Sequence, residues 1–411
     1  MTIQRIINSA VTALGLVATA TMAVAQNSPV TLQVWSVDGA KEPGIADTFS
    51  AEFDEQNPDI NIEYRIVPFD ELVNETLRAY AAGNAPDIVS FDNPDFPLFS
   101  SRGAMLDLTD MIAESEVINP KVYLEGPLNS VMWDGKIYGV PKYANTIALY
   151  YNVDKFAEAG IDGPPATWSE LAKDAAKLAD PANGFYGLTW SARGNEEGTF
   201  QFLPIIQMSG GGYDDVNTQG AAEVLGLMKT MIEQGHASQD VLSMGQWDST
   251  GTFNSGNAAM AISGDWEINR MLKEADFEWS LALLPTIEEG GKRSSALGGF
   301  NWGIMSNTEH PKEAFRLLEY FVQQDHRLTP EFGRGGARTG LEIPETGSKL
   351  KDATLATFRE QMKYAQPRGP HPEWQKISKA IYEAMQSALT GQVSPGDALS
   401  QAQATIDGVL N

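Results

Sequence analysis

The stretch Asp134–Phe156, DGKIYGVPKYANTIALYYNVDKF, decides how the rest of the chain is interpreted. Its middle, Ala144–Tyr151, is an apolar and aromatic run that lies between Pro141 and Asn152. Such a run is typical of a strand in a sheet that is covered on both faces. Because proline cannot donate to the ladder of a central strand, we expect Pro141 at the entrance of the strand. Alone, the pattern also fits one core strand of any α/β protein.

On the N-terminal side of this stretch, strands and helices are predicted to alternate. The strands are Val30–Val37, Asn61–Val67 and Asp87–Phe91. Apolar residues at helical spacing predict a helix after each of the first two strands: Ile45, Phe49 and Phe53, then Leu72, Val73, Leu77 and Tyr80. This order indicates a parallel, doubly wound sheet, in which ligands bind at the carboxyl ends of the strands. Those ends are Ser36–Glu42 and Asp92–Asp95.

On the C-terminal side, Thr167 and Glu170 predict a capping box that begins a helix running to about Ala179. We interpret Leu281–Leu284 as a strand that returns to the first domain. No Gly/Ser linker separates two halves, which indicates that the chain passes between its domains through strands. The other predicted elements are strands at Tyr186–Trp190, Ala258–Ser263 and Asn301–Met305, and helices near 224–232, 311–321, 348–363, 373–390 and 395–409.

Length and composition limit the possible classes of protein. The 411 residues are too many for one ordinary core and suit two domains of roughly 150–200 residues each. A formal net charge of −25 disfavours nucleic acid and anionic lipid as partners, although it also serves solubility alone. The absence of cysteine excludes disulfides, thiolate zinc sites and a lipid-anchoring cysteine. The 4 histidines show no helical ligand spacing, so we predict no metal and no cofactor.

Residues 1–25 have the pattern of a secretory signal peptide. Arg5 supplies a short positive region, an apolar segment follows, and Ala23-Val24-Ala25 is a small-x-small cleavage pattern. The apolar segment is too short and too interrupted to span a bilayer. We expect cleavage after Ala25 and a soluble protein in the periplasm; the alternative is an amphipathic helix at the start of the chain.

Several motifs together resemble the bacterial solute-binding proteins of ABC importers, in the sugar-binding family of the maltodextrin-binding type. Phe253–Trp266 resembles the family's signature in which a Phe, a Gly and a small-small-Met strand deliver a Trp into the cleft. Leu297–Gly303 resembles the family's double-glycine turn. The remaining matches are Leu149-Tyr150-Tyr151-Asn152, Asp154-Lys155-Phe156, Gly160-Ile161, Pro164-Pro165 and Thr167-Trp168-Ser169-Glu170.

The resemblance implies an α/β protein with the two-lobed periplasmic-binding-protein fold, whose doubly wound sheets are joined by a multi-strand hinge. On this basis lobe one would comprise residues 26–139 plus 288–330, and lobe two residues 140–287 plus 331–411. The implied protein is a monomer that binds a sugar or polyol between the lobes and delivers it to the transmembrane subunits of an ABC permease.

A sugar site needs aromatic rings for the flat apolar face of the sugar and planar polar groups for its hydroxyls. Asp265 is expected at the rim of such a site, and no catalytic residue is predicted. From predicted strand ends and from the resemblance, the candidate ligand-binding residues are Asp38, Lys41, Asp92, Asn93, Tyr143, Asn145, Trp190, Glu197, Trp266, Gly299, Asn301, Trp302, Arg338 and Trp374.

Five of these candidates have a purely structural alternative. Trp266 could be a core aromatic residue, and Trp374 could pack at the start of its helix. Lys41 could be solvated, and Asp92 and Asn93 could form an Asx turn before the proline that follows them.

Three further points stay open at this level. Arg338 could bind ligand oxygens or pair with a carboxylate across the hinge. Strand alternation places either Asn301 or Trp302 in the core. Of the adjacent Glu196 and Glu197, only one is expected to face the site.

Two other functions are compatible with a cleft of this composition. A secreted glycosidase or lyase would need two carboxylates about 5–10 Å apart, such as Asp265 with Asp92 or Glu197, but nothing selects a pair. A glycerol phosphate or another anionic solute is disfavoured because the cleft loops of the first lobe lack a basic cluster. Four arginines keep that option open: Arg193, Arg334, Arg338 and Arg368.

Overall fold

The computed structural model describes residues 28–39, 44–341 and 345–411. The predicted signal peptide, residues 1–25, lies outside this part of the chain. The strands are β1 (Val30–Ser36), β2 (Ile60–Ile66), β3 (Ile88–Asp92), β4 (Met132–Trp133), β5 (Lys136–Ile137), β6 (Val140–Pro141), β7 (Ile147–Asn152), β8 (Tyr186–Thr189), β9 (Ala258–Gly264), β10 (Trp279–Ala282), β11 (Ser295–Ala296), β12 (Phe300–Ile304) and β13 (Ala365–Gln366).

Eight helices of the described part of the chain occupy segments predicted from the sequence, and the other eight were not predicted. Glu196–Met208, which follows the strand Tyr186–Thr189, is a helix where a loop was expected. The capping box of Thr167 and Glu170 is confirmed, with both reciprocal hydrogen bonds present. The helices are α1 (Ile45–Gln56), α2 (Phe69–Ala81), α3 (Phe96–Ser100), α4 (Thr109–Glu114), α5 (Glu125–Ser130), α6 (Val153–Glu158), α7 (Trp168–Leu178), α8 (Glu196–Met208), α9 (Gln219–Glu233), α10 (Gln246–Asn254), α11 (Ile268–Glu274), α12 (Pro311–Gln323), α13 (Leu328–Phe332), α14 (Lys349–Met362), α15 (Trp374–Leu389) and α16 (Pro395–Leu410).

The first sheet has the strand order β2–β1–β3–β12–β6. Strand β1 runs parallel to β2 and β3, which confirms the parallel arrangement predicted for the N-terminal segment. Strand β12 returns from much later in the chain and is antiparallel to β3 and β6. The expectation that Pro141 stands at the entrance of the Ala144–Tyr151 strand is wrong, because that strand, β7, begins at Ile147 in the other sheet. Pro141 ends β6 at the edge of the first sheet, where a residue without an N–H group is tolerated.

The second sheet has the order β10–β7–β9–β8. Strand β7 is antiparallel to β9 and β10, whereas β8 and β9 are parallel. The interpretation of Leu281–Leu284 as a return to the first domain is wrong, because β10 is the edge strand of this second sheet and pairs with β7. Apolar side chains cover both faces, as a near-continuous hydrophobic strand such as β7 requires.

Two antiparallel segments, residues 142–146 and 296–300, connect the sheets as a hinge. Asn145 and Gly298 exchange both backbone hydrogen bonds, at 3.0 and 2.9 Å. Gly299 has φ +127°, and a Cβ atom there would lie 2.1 Å from the carbonyl oxygen of Tyr143. Glycine is therefore required for the two segments to approach this closely.

The packing of the cores suggests where one lobe ends and the other begins. Tyr143, Leu297 and Ala337 belong to a core cluster of the first sheet. Ile147 and Ala296 belong to the core of the second. We therefore propose boundaries near residues 144–147 and 296–297, with residues 328–339 on lobe one. This assigns residues 140–143 and 331–339 to lobe one and 288–296 to lobe two, unlike the ranges proposed from the sequence.

None of the helices in the described part of the chain is long and apolar enough to cross a bilayer.

Candidate functional site in the cleft between the lobes

A cavity of about 450 Å³ lies between the lobes and is lined by residues of both. Its size falls in the usual range for small-molecule sites. Among the described residues the aromatic side chains that line it are Phe69, Tyr143, Phe200, Trp247, Trp266, Phe300 and Phe332. The charged side chains that line it are Asp38, Asp92, Glu196, Glu197, Glu331, Arg334 and Arg368.

Half of the candidates named from the sequence lie on this cavity. They come from the carboxyl ends of β1 and β3, from the hinge, from the start of α8 and from the end of β9. The lining candidates are Asp38, Asp92, Tyr143, Asn145, Glu197, Trp266 and Gly299.

The aromatic candidates Trp190, Trp302 and Trp374 lie elsewhere, in the cores of the lobes. Trp190 has no exposed surface, and Trp374 is 1% exposed with its indole N–H donating to Glu196 Oε2 at 3.0 Å. Trp302 stacks on Phe321 with ring centroids 4.3 Å apart. The apolar area of these rings is buried inside the fold and is not presented to the cavity.

The remaining candidates are polar residues behind the cavity wall. Asn93 is buried directly after Asp92, and the Asp92 side chain accepts from its N–H group, as the Asx alternative predicted. Asn301 is buried and donates to Ser130 Oγ at 2.9 Å, so both it and its neighbour in β12 are inside the lobe. Arg338 lies 3.3 Å from the Asp325 carboxylate within lobe one, not across the hinge. Lys41 lies outside the described residues.

Trp266 enters the cavity because of the glycine two residues before it. A Cβ atom on Gly264 would lie 2.1 Å from the indole, so only glycine lets the ring fold back over the end of β9. The ring of Phe200 packs beside it, with centroids 6.1 Å apart. The guanidinium of Arg368 lies 4.5 Å from the centroid of Phe200 on that ring's face. An aromatic surface is thereby held rigidly at the cavity.

Arg368 forms a buried ion-pair cluster with carboxylates from both lobes. Its guanidinium donates to both oxygens of Asp92 at 2.8 and 2.6 Å, and to Glu196 Oε1 at 2.5 Å. Burial alone would lower the pKa of Arg368, but Asp92 and Glu196 raise it above its usual value. Asp92 ends a lobe-one strand, whereas Glu196 begins a lobe-two helix, so this cluster connects the lobes.

Two carboxyls of this region, those of Glu196 and Asp95, have a raised pKa. The pKa of Glu196 is raised by burial, and Arg368 only partly offsets the effect. Asp95 is more strongly affected, since burial and the nearby Asp92 and Glu196 raise its pKa well above the usual value. Gln375, from lobe two, donates to Asp95 Oδ1 at 2.6 Å. Protonation of Asp95 would limit the negative charge gathered here.

A second charged cluster contains Lys142, Asp38, Arg334 and Asp265. Lys142 is buried and donates to Asp38 Oδ2. Asp265 Oδ2 accepts from the Gly335 N–H at 2.8 Å, as the chain folds back at the cleft. Burial raises the pKa of Asp265 to about 7, although Arg334 acts to lower it. Among the described residues, no hydrogen bond or ion pair joins this cluster to that of Arg368.

A third set of polar contacts closes the outer side of the cleft. Asp70, in the first turn of α2 on lobe one, pairs with Arg193 at 2.8 Å. It also accepts from Asn195 Nδ2 at 2.8 Å, and both partners precede α8 on lobe two. Asn195 and Gln246 in turn donate to Glu197. We refer to the contacts of Asp70 with Arg193 and Asn195 as the clasp.

Comparison with known proteins identifies the family. The model of the bacterial extracellular solute-binding proteins matches residues 37–326. This chain belongs to that family. A Brucella abortus protein that is named as a binding protein without a ligand is 28% identical over 370 residues, covering 87% of this chain and 88% of the relative. The galactooligosaccharide-binding protein of Bacillus subtilis is 23% identical, with 92% and 89% covered.

Solved structures of solute-binding proteins share the fold. The ABC transporter solute-binding protein of Thermotoga lettingae, bound to α-D-tagatose, superimposes with a TM-score of 0.81 at 23% identity, covering 93% of this chain and 100% of that one. Maltose-bound MalE3 of T. maritima gives a TM-score of 0.81 at 24% identity, with 92% and 100% covered. These similarities confirm the predicted two-lobed α/β fold.

Several cavity residues of this solute-binding protein were not among the sequence-based candidates. Phe200, Trp247, Arg334 and Arg368 line the cavity from segments that are far apart in the sequence. Arg368 stands between two prolines just before a predicted helix, a signal that marks a fixed turn but not its partners. Its carboxylate partners lie 276 and 172 residues away, a separation that no local pattern encodes.

The expectation that only one of Glu196 and Glu197 would face the site is wrong. Both line the cavity. They occupy the first turn of α8, where neighbouring side chains diverge by about 100°. In that position Glu196 reaches Arg368 while Glu197 accepts from the Gln246 N–H group at 3.2 Å.

Replacing Arg368 by glutamine should lower the free energy of unfolding by about 3–5 kcal/mol, because two carboxylates would remain buried without their counter-charge. The loss should be smaller at pH 5 than at pH 8, since burial raises the pKa of Glu196 and protonation of that carboxyl would remove its unpaired charge. Urea denaturation at the two pH values measures both effects.

The control is Arg102→Gln, which also removes an arginine that contacts the other lobe. Because the pair of Arg102 with Glu373 is half exposed, this substitution should cost at most about 1 kcal/mol. Equal effects of the two substitutions would contradict the role given to the buried cluster.

Replacing Asp265 by asparagine should change how stability depends on pH. The folded-state pKa of about 7 lies above 3.8, the usual value for an aspartate side chain. The wild type therefore gains stability from this group as the pH falls from about 7 to about 4, and lacks that gain above pH 7. Asp265→Asn should be more favourable relative to wild type at pH 8 than at pH 5, by up to about 2 kcal/mol. The exposed Asp162→Asn serves as the control in melting experiments, and a pH-independent difference for Asp265→Asn would refute the expectation.

Proposed function

We propose that this protein is the substrate-binding component of an ABC importer, which captures a sugar or polyol between its lobes and delivers it to a membrane permease. The observation that carries the proposal is the cavity itself, where aromatic rings such as Trp266 and Phe200 lie beside carboxylates and guanidinium groups. An apolar face next to paired donors and acceptors is what a sugar ring requires.

The arrangement of the wall supports a mechanism of hinge closure. Asp38 and Tyr143 line the cavity from lobe one, and Glu197 and Trp266 line it from lobe two. A ligand that contacts both walls favours the closed state over the open state, and only such differential contact can shift the equilibrium. The permease would then bind the closed form and release the ligand.

The names of related proteins support a carbohydrate ligand. Relatives include the galactooligosaccharide-binding protein mentioned above and the maltodextrin-binding protein of Bacillus subtilis, which is 24% identical and covers 78% of this chain. In keeping with the extracellular family, we also propose export to the periplasm and a monomeric state.

The ion pairs of the carboxylates at the cavity favour binding without catalysis. Asp92 and Glu196 are held by Arg368, and Glu331 is held by Arg327 at 2.7 Å. A glycosidase needs one carboxyl free to protonate the leaving group and a second to act opposite it. Groups fixed in ion pairs suit the orientation of hydroxyls better than proton transfer.

Thermal melting with a panel of neutral mono- and oligosaccharides and polyols tests this proposal. A ligand at a hundredfold excess over its Kd should stabilise the protein by about 2.7 kcal/mol. Trp266→Ala should weaken binding of the responding sugar at least tenfold, as expected for a lost stacking contact of about 1.5 kcal/mol, while Trp266→Phe should lose less. Melting of both variants without sugar controls for folding. Hydrolysis of an aryl glycoside by the purified protein, or no response to any sugar, would contradict the proposal.

The clasp should slow the release of ligand. Asp70→Ala removes the contacts to Arg193 and Asn195, so the closed state loses about 0.2–1 kcal/mol and the dissociation rate should rise by up to about fivefold. The effect should shrink at high salt, because the pair is partly exposed. Stopped-flow tryptophan fluorescence with the sugar that responds in the melting panel measures the rate. Glu71→Ala, an exposed acidic residue of the same helical turn, should leave the rate unchanged, and an equal effect of both variants would exclude a specific clasp.

A further inference from the structure

Arg334 is a charged residue of the cavity wall that has side-chain donors without hydrogen-bond partners. It lines the cavity, yet its Nε and Nη1 atoms are buried without a hydrogen-bond partner. No ion pair joins it to a carboxylate among the described residues. Its guanidinium lies 5.9 Å from the centroid of the Tyr143 ring, which itself lines the cavity. Two donors removed from water without a partner are costly, and an oxygen ligand that reached them would remove that cost.

The carboxylates of Asp38, Glu331 and Asp265, in the cavity wall or beside it, have other partners. Asp38 accepts from the buried Lys142, and the Glu331 carboxylate is held by Arg327 through two contacts of 2.7 and 2.9 Å. Asp265 accepts from the Gly335 N–H, and burial holds its pKa at about 7, so it carries only part of a negative charge at neutral pH. Among the described residues, the ion pair within this cluster joins Asp38 to Lys142 and leaves Arg334 without one.

In the cluster of Arg368, by contrast, carboxylates outnumber guanidinium groups. There one guanidinium is shared by the carboxylates of Asp92 and Glu196. The cavity therefore has a positive region at Arg334 and a negative region at Asp92 and Glu196. A ligand that matches both regions carries an anionic group for the first and hydroxyl donors for the second.

We propose that the ligand is an acidic sugar, and that Arg334 determines this specificity by binding the sugar's carboxylate. This inference rests on the proposed function and narrows its ligand class from sugars in general to uronic acids and related sugar acids. Arginine is well suited to the role, because its planar fork donates two parallel hydrogen bonds to a carboxylate. The guanidinium lies over the ring of Tyr143, 5.9 Å from its centroid, and this contact favours a position of the side chain at the cavity.

The test compares each of three uronates with the neutral hexose from which it derives: D-glucuronate with D-glucose, D-galacturonate with D-galactose, and D-mannuronate with D-mannose. Isothermal titration of the purified full chain should show that at least one uronate binds tenfold or more tightly than its parent. Arg334→Gln should weaken binding of that uronate at least tenfold and binding of the parent less than threefold. Arg334→Lys keeps the charge but not the fork and should give an intermediate loss.

Two controls separate recognition from stability and from net charge. Melting without sugar shows whether the Arg334 variants fold, and Arg334→Lys provides the readout if Arg334→Gln does not. Arg359→Gln makes the same change in charge at an exposed residue of α14 that does not line the cavity, and should leave all affinities unchanged.

The outcomes distinguish a failure of the inference about acidic sugars from a failure of the proposed sugar-binding function. If neutral hexoses bind as tightly as the uronates, or if Arg334→Gln weakens both equally, the inference about acidic sugars is overturned and the proposed sugar-binding function stands. If neither uronates nor any neutral sugar of the wider panel binds, both are overturned.

Discussion

The structure depends on one shared guanidinium, that of Arg368, which holds the lobes together through charge. With the lobe boundaries proposed above, Asp92 falls in lobe one, and its partner Arg368 falls in lobe two with Glu196. Burying three charged groups is favourable only when their mutual attraction and hydrogen bonds replace the lost water. Movement of one lobe away from the other would break the bidentate contact with Asp92 and would return at least one charge to solvent or leave it unpaired. The relative position of the lobes is therefore coupled to the electrostatics of the cavity wall.

The hinge makes such a coupling possible without loosening either core. Its two segments are joined by backbone hydrogen bonds around Asn145 and Gly298, and the absence of a side chain at Gly299 lets them touch. Rotation about short extended segments changes few backbone dihedral angles, so each lobe can keep its packing while the cleft opens. The same segments supply Tyr143, Asn145 and Gly299 to the cavity. A ligand that contacts them would therefore act on the element that sets the lobe angle.

The central strands and the long amphipathic helices were predictable from the sequence because their signals are local, whereas α8, which supplies Glu196 and Glu197 to the cavity, was not predicted. The spacing of Ile45, Phe49 and Phe53, the Thr167–Glu170 capping box and the apolar run of β7 each report on neighbours within a few residues. The site was predicted only in part. Strand ends and the Gly264-Asp265-Trp266 turn are local features, and they led to residues that line the cavity. By contrast, Trp190 and Trp374 are the same residue type as Trp266 in the cleft. Only their packing within lobe two shows that they are internal.

The arginines show most clearly why local signals are insufficient. Arg193, Arg334, Arg338 and Arg368 are equivalent as sequence features, yet they differ in the carboxylate that the fold brings to each. Arg338 has Asp325, Arg193 has Asp70, and Arg368 has two partners. Arg334 has none among the described residues. A folded chain can leave a buried donor without a partner at a binding site. The free energy that this costs is offset when the ligand supplies the missing acceptor. The unmet hydrogen-bonding capacity of Asn145 Oδ1 and Asp265 Oδ1 in the same region fits this account. The cavity wall is thus less stable alone than it would be with a polar ligand, and that difference is a source of affinity and of the force that closes the lobes.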